Sequence, residues 1–238
     1  MTKRGFSLAE LLITIGIIGI VASLTIPTLV SNNRNKANAS KLASLVSTIE
    51  NAFTTMMSVE GVPTLSETNF GKSKTAVNLG KYMKIISSQT TLAGFYGSSE
   101  PFKTLSQATW TPTVNNVLET KNGALLIIQN DPSVDADVTD VTIAALGGSV
   151  YGAAGRLTID VNGVAAPNVA GRDVFHFIIG DDGCLYGAGS LNFSILNSNK
   201  ANELWSISSS TNGFVCVDSD RTIGCTARLV ENNYEVDY

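Results

Sequence analysis

The chain has 238 residues, 44% of them hydrophobic and only 15% charged, enough to bury a core and too apolar for disorder throughout. Its 16 basic and 20 acidic side chains leave a net charge of -4, which offers no general attraction to a phosphate backbone and excludes nucleic acid as the default partner. Gly-x-Ser-x-Gly, Walker and His-Glu-x-x-His patterns do not occur in it, so the usual signatures of a hydrolase or nucleotide enzyme are missing and no catalytic residue is assigned.

The N-terminus, Met1-Thr2-Lys3-Arg4-Gly5, is a short basic leader, and Leu11 to Val30 follows without a charged residue. A run of about 20 apolar residues spans a bilayer, whereas an ordinary secretory signal has a shorter apolar core. Lys3 and Arg4 precede the run, and the positive-inside rule then puts the N-terminus in the cytoplasm and the rest of the chain across the membrane. Glu10 breaks the pattern, because a lone carboxylate at the start of a membrane helix needs a partner or a proton, unless it lies at the headgroup level and caps the helix N-terminus, where the helix dipole favours it. Pro27, with Gly16 and Gly19, lowers helix propensity in the same stretch and predicts a kinked or locally melted span.

The segment Lys3-Arg4-Gly5-Phe6-Ser7-Leu8-Ala9-Glu10-Leu11-Leu12 resembles the processing site of type IV prepilins and type II secretion pseudopilins. The resemblance implies cleavage between Gly5 and Phe6 by the prepilin peptidase and N-methyltransferase, methylation of Phe6, and pairing of Glu10 with the free amine of an adjacent subunit during assembly. It also implies a single-pass protein of the bacterial inner membrane, its head outside the cytoplasm, that meets an inner-membrane assembly platform and other pilin or pseudopilin subunits in a periplasmic or extracellular filament. The expected fold class is α+β and pilin-like, with a long N-terminal helix, half of it transmembrane, packed on an antiparallel β-sheet head. The corresponding organisation is a leader at 1–5, a transmembrane half at 6–30, an amphipathic half at 31–60 and a globular head at 61–238. The resemblance rests on residues 1 to 30; the head is read from its own residues.

Between Ala39 and Val59 the apolar residues Leu42, Leu45, Val46, Ile49, Phe53, Met56 and Met57 recur every three to four positions, the spacing of an amphipathic helix that Gly61-Val62-Pro63 ends. Ala76 to Ile86 reads as a second short helix with Val77, Tyr82, Met83 and Ile86 on one side. Lys72, Lys74, Lys81 and Lys84 form a local basic cluster, best read as a solvated face in the absence of interleaved exposed aromatics. Strands are expected at Ala124–Gln129, Arg156–Val161, Val174–Ile179 and Gly213–Val217, an exposed loop at Asp131–Asp140, and a closing helix at Thr222–Asn233.

The segment from Asp160 to Asp173 holds Asp160, Asn162, Asn168 and Asp173 on a turn-rich stretch, a set of hard oxygen ligands of the kind calcium favours. It resembles a loop that holds calcium in some secretion-type pilin-like proteins, though it lacks the EF-hand pattern. The simpler reading is a tight Asn162-Gly163 hairpin turn with Asn168 and Asp173 satisfying backbone donors. Asp181-Asp182-Gly183 is a second turn, able to join such a site only if it folds back beside the first. Of the three cysteines, Cys216 and Cys225 are the candidates for a small-loop disulfide in an exported chain, leaving Cys184 as a buried free thiol, with all three pairings open on sequence alone. His176 alternates with Phe175 and Phe177 in a strand. The leading function is a structural filament subunit that requires no cofactor, with a structural calcium as the candidate ligand; the alternative is a membrane-anchored or minor-pilin adhesin or ligand-binding protein, including a DNA-uptake pilin. Removing Lys3 and Arg4 leaves 16 - 2 = 14 basic residues and a net charge of 14 - 20 = -6, which disfavours DNA.

Overall fold

A computed structural model describes residues 7–73, 76–98, 101–105, 107, 109–110, 116–129, 141–143, 153–187, 193–195, 216 and 224–236. It divides into two compact units, Met1–Ala37 and Asn38–Tyr238. In chain order the helices and strands are α1 (Leu8–Glu60), α2 (Asn69–Ser73), α3 (Ala76–Leu79), β1 (Ile85–Gln89), α4 (Ala93–Tyr96), β2 (Phe102–Lys103), β3 (Thr109–Trp110), β4 (Asn116–Thr120), β5 (Leu125–Gln129), β6 (Val141–Ile143), β7 (Ala153–Asp160), β8 (Val174–Gly180), β9 (Leu185–Gly187), β10 (Phe193–Ile195) and α5 (Gly224–Glu231).

The first unit is the N-terminal part of α1. From Leu8 to Val30 its large apolar side chains are between 50% and 77% exposed, and the helix is long and apolar enough to cross a membrane. Its hydroxyls turn inward on their own helix: Thr14 Oγ1 donates to the Leu11 carbonyl, Ser23 Oγ to Ile20, Thr25 Oγ1 to Val21 and Thr28 Oγ1 to Thr25, at 2.8 to 3.0 Å. Such bonding removes the polar penalty these residues would carry in hydrocarbon. Pro27 lies inside α1, and the helix continues unbroken past it. A kinked or locally melted span is the expectation there; α1 is helical throughout Leu8–Glu60, as a proline that removes a single ladder bond allows.

In the second unit, Leu42, Leu45, Val46, Ile49, Ala52, Phe53 and Met56 of α1 form one buried stripe. They share a core with Leu118, Leu126, Ile128, Leu157, Ile159, Phe175, Phe177 and Ile179 of the sheet, every second residue on each strand, as the two-residue period requires. The sheet is antiparallel, in the order β1-β4-β5-β7-β8-β9. Its other face carries a second cluster of Val117, Leu125, Ile127 and Val174 against Leu92 and Phe102. Burial on both faces explains why β5 reads as a continuous apolar run and β8 as one interrupted by the buried His176. Gly61, in the left-handed conformation at φ 66°, ends α1 as glycine does at helix C-termini.

The expected helix at Ala76–Ile86 is corrected. Only Ala76–Leu79 is helical, and Ile85 and Ile86 begin β1, where pairing with β4 overrides local helix propensity. Val77, placed on the apolar side, is 73% exposed. The closing helix is α5, packed so tightly that a Cβ on Gly187 would come within 2.9 Å of the Ala227 Cα. Thr226 Oγ1 accepts the His176 amide N–H at 2.9 Å, supplying an acceptor one residue before the point where β9 begins to pair with β8. Asp131–Asp140 lies outside the described residues, as does Gly213–Val217 apart from Cys216.

Candidate functional site

Gly5 and Phe6 lie outside the described residues, which open at Ser7. There the Ser7 amide N–H donates to Glu10 Oε2 at 2.9 Å, and the Glu10 amide N–H donates to Ser7 Oγ at 3.2 Å. This reciprocal pair is a capping box, which satisfies two of the donors that every helix N-terminus leaves orphaned. The carboxylate of Glu10 therefore has an intrachain partner in the single chain. The Ser-x-x-Glu spacing was the available sequence signal, and it gives Ser7 a role that sequence reasoning missed.

The second candidate is the connection from β7 to β8, residues 161–173. The structure brings Asp160, Asn162, Asn168 and Asp173 together here, but not as a tight hairpin turn. Asp173 is its hub: Oδ1 accepts the Val169 N–H at 2.6 Å, and Oδ2 accepts the Asn168 N–H at 3.0 Å and Asn162 Nδ2 at 3.1 Å. Asp160, fully buried, accepts the Asn162 N–H on Oδ1 at 3.2 Å and the Tyr96 hydroxyl on Oδ2 at 2.7 Å. Tyr96 comes from α4, too far away in sequence to have been anticipated. Asn162 Nδ2 also closes on the Ala165 carbonyl at 2.7 Å, and β2 brackets the loop, since Lys103 N–H donates to Asn168 and Ala170 N–H donates to Lys103. Gly163, at φ 65°, is irreplaceable because a Cβ there would strike the Gly123 carbonyl oxygen.

Burial pushes the Asp160 carboxyl up to about 8, assisted by the neighbouring Asp173 charge and opposed by the Tyr96 hydroxyl and backbone N–H donors. The same burial, followed by the Asp160 charge, raises Tyr96. As a test of fit to a hard cation, the amide oxygens Asn162 Oδ1 and Asn168 Oδ1 are buried without a hydrogen-bond partner, while both carboxylates already hold several donors. Among the described residues no three His, Cys, Asp or Glu side chains converge, so the set amounts to two carboxylates and two amides.

Asp181 and Asp182 are engaged elsewhere. Asp181 Oδ1 accepts the Ser66 N–H at 3.2 Å and the Ser66 hydroxyl; Asp182 accepts the Cys184 N–H at 3.0 Å and the Tyr186 hydroxyl at 2.6 Å. Gly183 seats this turn against Met57 and Phe53 of α1, and Glu50 Oε1 accepts the Leu185 N–H at 2.9 Å. Cys216 and Cys225 are joined by a disulfide with Cα atoms 4.4 Å apart. Cys184 is a free thiol but exposed, a correction to its expected burial, because it occupies the turn and not a strand's inward face. His176 is buried, its Nδ1 3.0 Å from Thr158 Oγ1, and loss of hydration holds it down at about 3.

Residues 1–26 match the model of the prokaryotic N-terminal methylation motif, the signature of type IV pilins and pseudopilins. No curated protein and no solved structure matches the chain.

Proposed function

We propose that this chain, which carries the methylation motif and a pilin-like α+β layout, is a structural subunit of a type IV pilus or a type II secretion pseudopilus, cut between Gly5 and Phe6 and assembled through its N-terminal helix. The single observation that carries the reading is the match of residues 1–26 to the motif, placed at the start of a 53-residue helix. The motif implies a prepilin peptidase and other pilin subunits as partners. In this reading Glu10 exchanges the Ser7 amide for the methylated amine of a neighbouring Phe6, a gain because a charged donor forms the stronger hydrogen bond. An inner-membrane platform would then draw the helix from the bilayer into a filament. Expression with the native assembly machinery tests it: Glu10→Ala should still be cleaved but lose sheared filaments at least tenfold. Filaments at wild-type yield would overturn the assembly role.

The second reading concerns the β7–β8 loop, where the partnerless amide oxygens of Asn162 and Asn168 beside Asp160 and Asp173 favour a structural calcium. Two carboxylates and two amides suit the weak range of extracellular calcium modules, about 10⁻⁴ to 10⁻³ M. The head would melt at least 3 °C higher in millimolar calcium than in chelator, with no such rise in Asp173→Asn. Equal melting with and without calcium would leave the loop held by its own hydrogen bonds.

A further inference from the structure

Arg34 and Lys36 are the first charges after Glu10, and both are exposed on α1. At about 1.5 Å per residue, they stand roughly 36 and 39 Å along the axis from Glu10. A bilayer has a hydrocarbon core of about 30 Å, and about 40–45 Å with its headgroup regions. The two ends of the uncharged stretch are thus spaced to meet opposite headgroup layers at once. Residues 31–33 and 35, between the apolar run and these charges, are serine and asparagines, polar enough for the interface and short enough to leave the cations near it.

The direction of the two cations identifies the surroundings they suit. Residues two apart on a helix point about 200° apart, so Arg34 and Lys36 leave the axis on opposite sides. A docked protein meets one side of a helix, whereas a headgroup layer encircles it. Both side chains are long enough to move their charge along the axis to the nearest phosphate, and an anionic headgroup surface attracts each of them.

We propose that Arg34 and Lys36 form a phosphate-binding collar that docks on the headgroups of the far leaflet and sets the depth of the helix, holding Glu10 and its capping box at the near headgroup layer instead of in hydrocarbon. The proposal rests on the membrane-spanning reading of α1 and adds to it what fixes the register of the span. It also gives Glu10 a place in the unassembled chain that needs no partner subunit. Drawing the helix toward the far side would then separate the collar from its phosphates.

The test uses the processed full-length chain with Cys184→Ser, reconstituted in vesicles containing 30 mol% phosphatidylglycerol in phosphatidylcholine, with a depth-sensitive fluorophore on Val30→Cys. Quenching by lipids labelled at known depths should place the probe about 3 Å, or two residues of rise, nearer the bilayer centre in Arg34→Gln/Lys36→Gln than in the chain with both cations. The charge-conserving pair Arg34→Lys/Lys36→Arg should keep the original depth. An unchanged depth on neutralisation overturns the collar, and does so with a positive alternative if crosslinking between copies falls instead, since the cations would then serve a protein partner. A fluorophore on Ile18→Cys separates the two failures: quenching there by aqueous iodide would defeat the spanning reading itself, and the collar with it.

Discussion

Residues 8–30 and 38–60 belong to one continuous helix, yet their apolar side chains are distributed differently. In the first stretch large hydrophobics point in every direction and remain at least half exposed; in the second, from Leu42 to Met56, they form one buried stripe with exposed serines, threonines and asparagines opposite, and only Val59 near the helix end is exposed. The difference teaches that the stretches are matched to different surroundings. A helix apolar all round is fitted to lipid or to other apolar helices, and one with a single apolar stripe is fitted to the sheet that covers it. The first stretch can then change its surroundings without disturbing the head, while the second is part of the head's fold.

Core truncation should separate the two stretches most strongly. Phe53→Ala, which empties a fully buried site, should lower the head's unfolding free energy by about 3–5 kcal/mol; Ile18→Ala, 66% exposed, should change it by less than about 0.5 kcal/mol. Denaturant titration followed by head tryptophan fluorescence checks both, and equal losses would mean that the halves are not energetically separate. A smaller effect is expected from Cys216→Ser/Cys225→Ser. It releases a loop with a sequence separation of 9 and should cost the head about 2–3 kcal/mol by the same titration, chiefly through a freer unfolded chain.

The head's stability also depends on pH. Asp160 has its folded value raised from 3.8 to about 8, so its contribution is complete below pH 3.8 and is lost as pH rises toward 8. His176 has its value lowered from 6.5 to about 3, so the head loses stability as pH falls from 6.5 toward 3. The two slopes oppose each other in mild acid, leaving Asp160 alone between pH 6.5 and 8, where stability should fall as pH rises. Asp160→Asn should flatten that decline in melting scans; an unchanged slope would show that another group causes it.

These assignments differ in how far the chain's own order reveals them. The stripe from Leu42 to Met56, the strands at β5, β7 and β8, and α5 follow from periodicity and turn residues, because each is set by local pattern. Ile85 and Ile86 were misread because the partner that makes them a strand, β4, lies some thirty residues on. The β7–β8 loop shows the same division. Its four oxygen-bearing residues are close in sequence and do come together, while Tyr96 reaches Asp160 only through the folded α4. At the N-terminus a cap by Glu10 stood as the simpler alternative to an intermolecular partner, while the reciprocal bond with Ser7 was not expected, although Ser7-x-x-Glu10 is a local pattern. Ser7→Ala should therefore have a small and local effect, weakening the helix start by about 1 kcal/mol. Faster amide exchange at residues 8–10, with no change at 42–56, would register it; equal exchange would remove the cap from the account.

The proposed filament role depends on processing of the N-terminus. Intact mass and N-terminal sequencing of the chain recovered from membranes, after expression with a prepilin peptidase, test it most directly. The account predicts a chain that starts at N-methylated Phe6, and full retention of Met1 when Gly5 is replaced by a bulkier residue. An uncut Met1 in the unaltered chain, or a cut beyond Val30, would contradict it and leave an ordinary anchored or secreted protein.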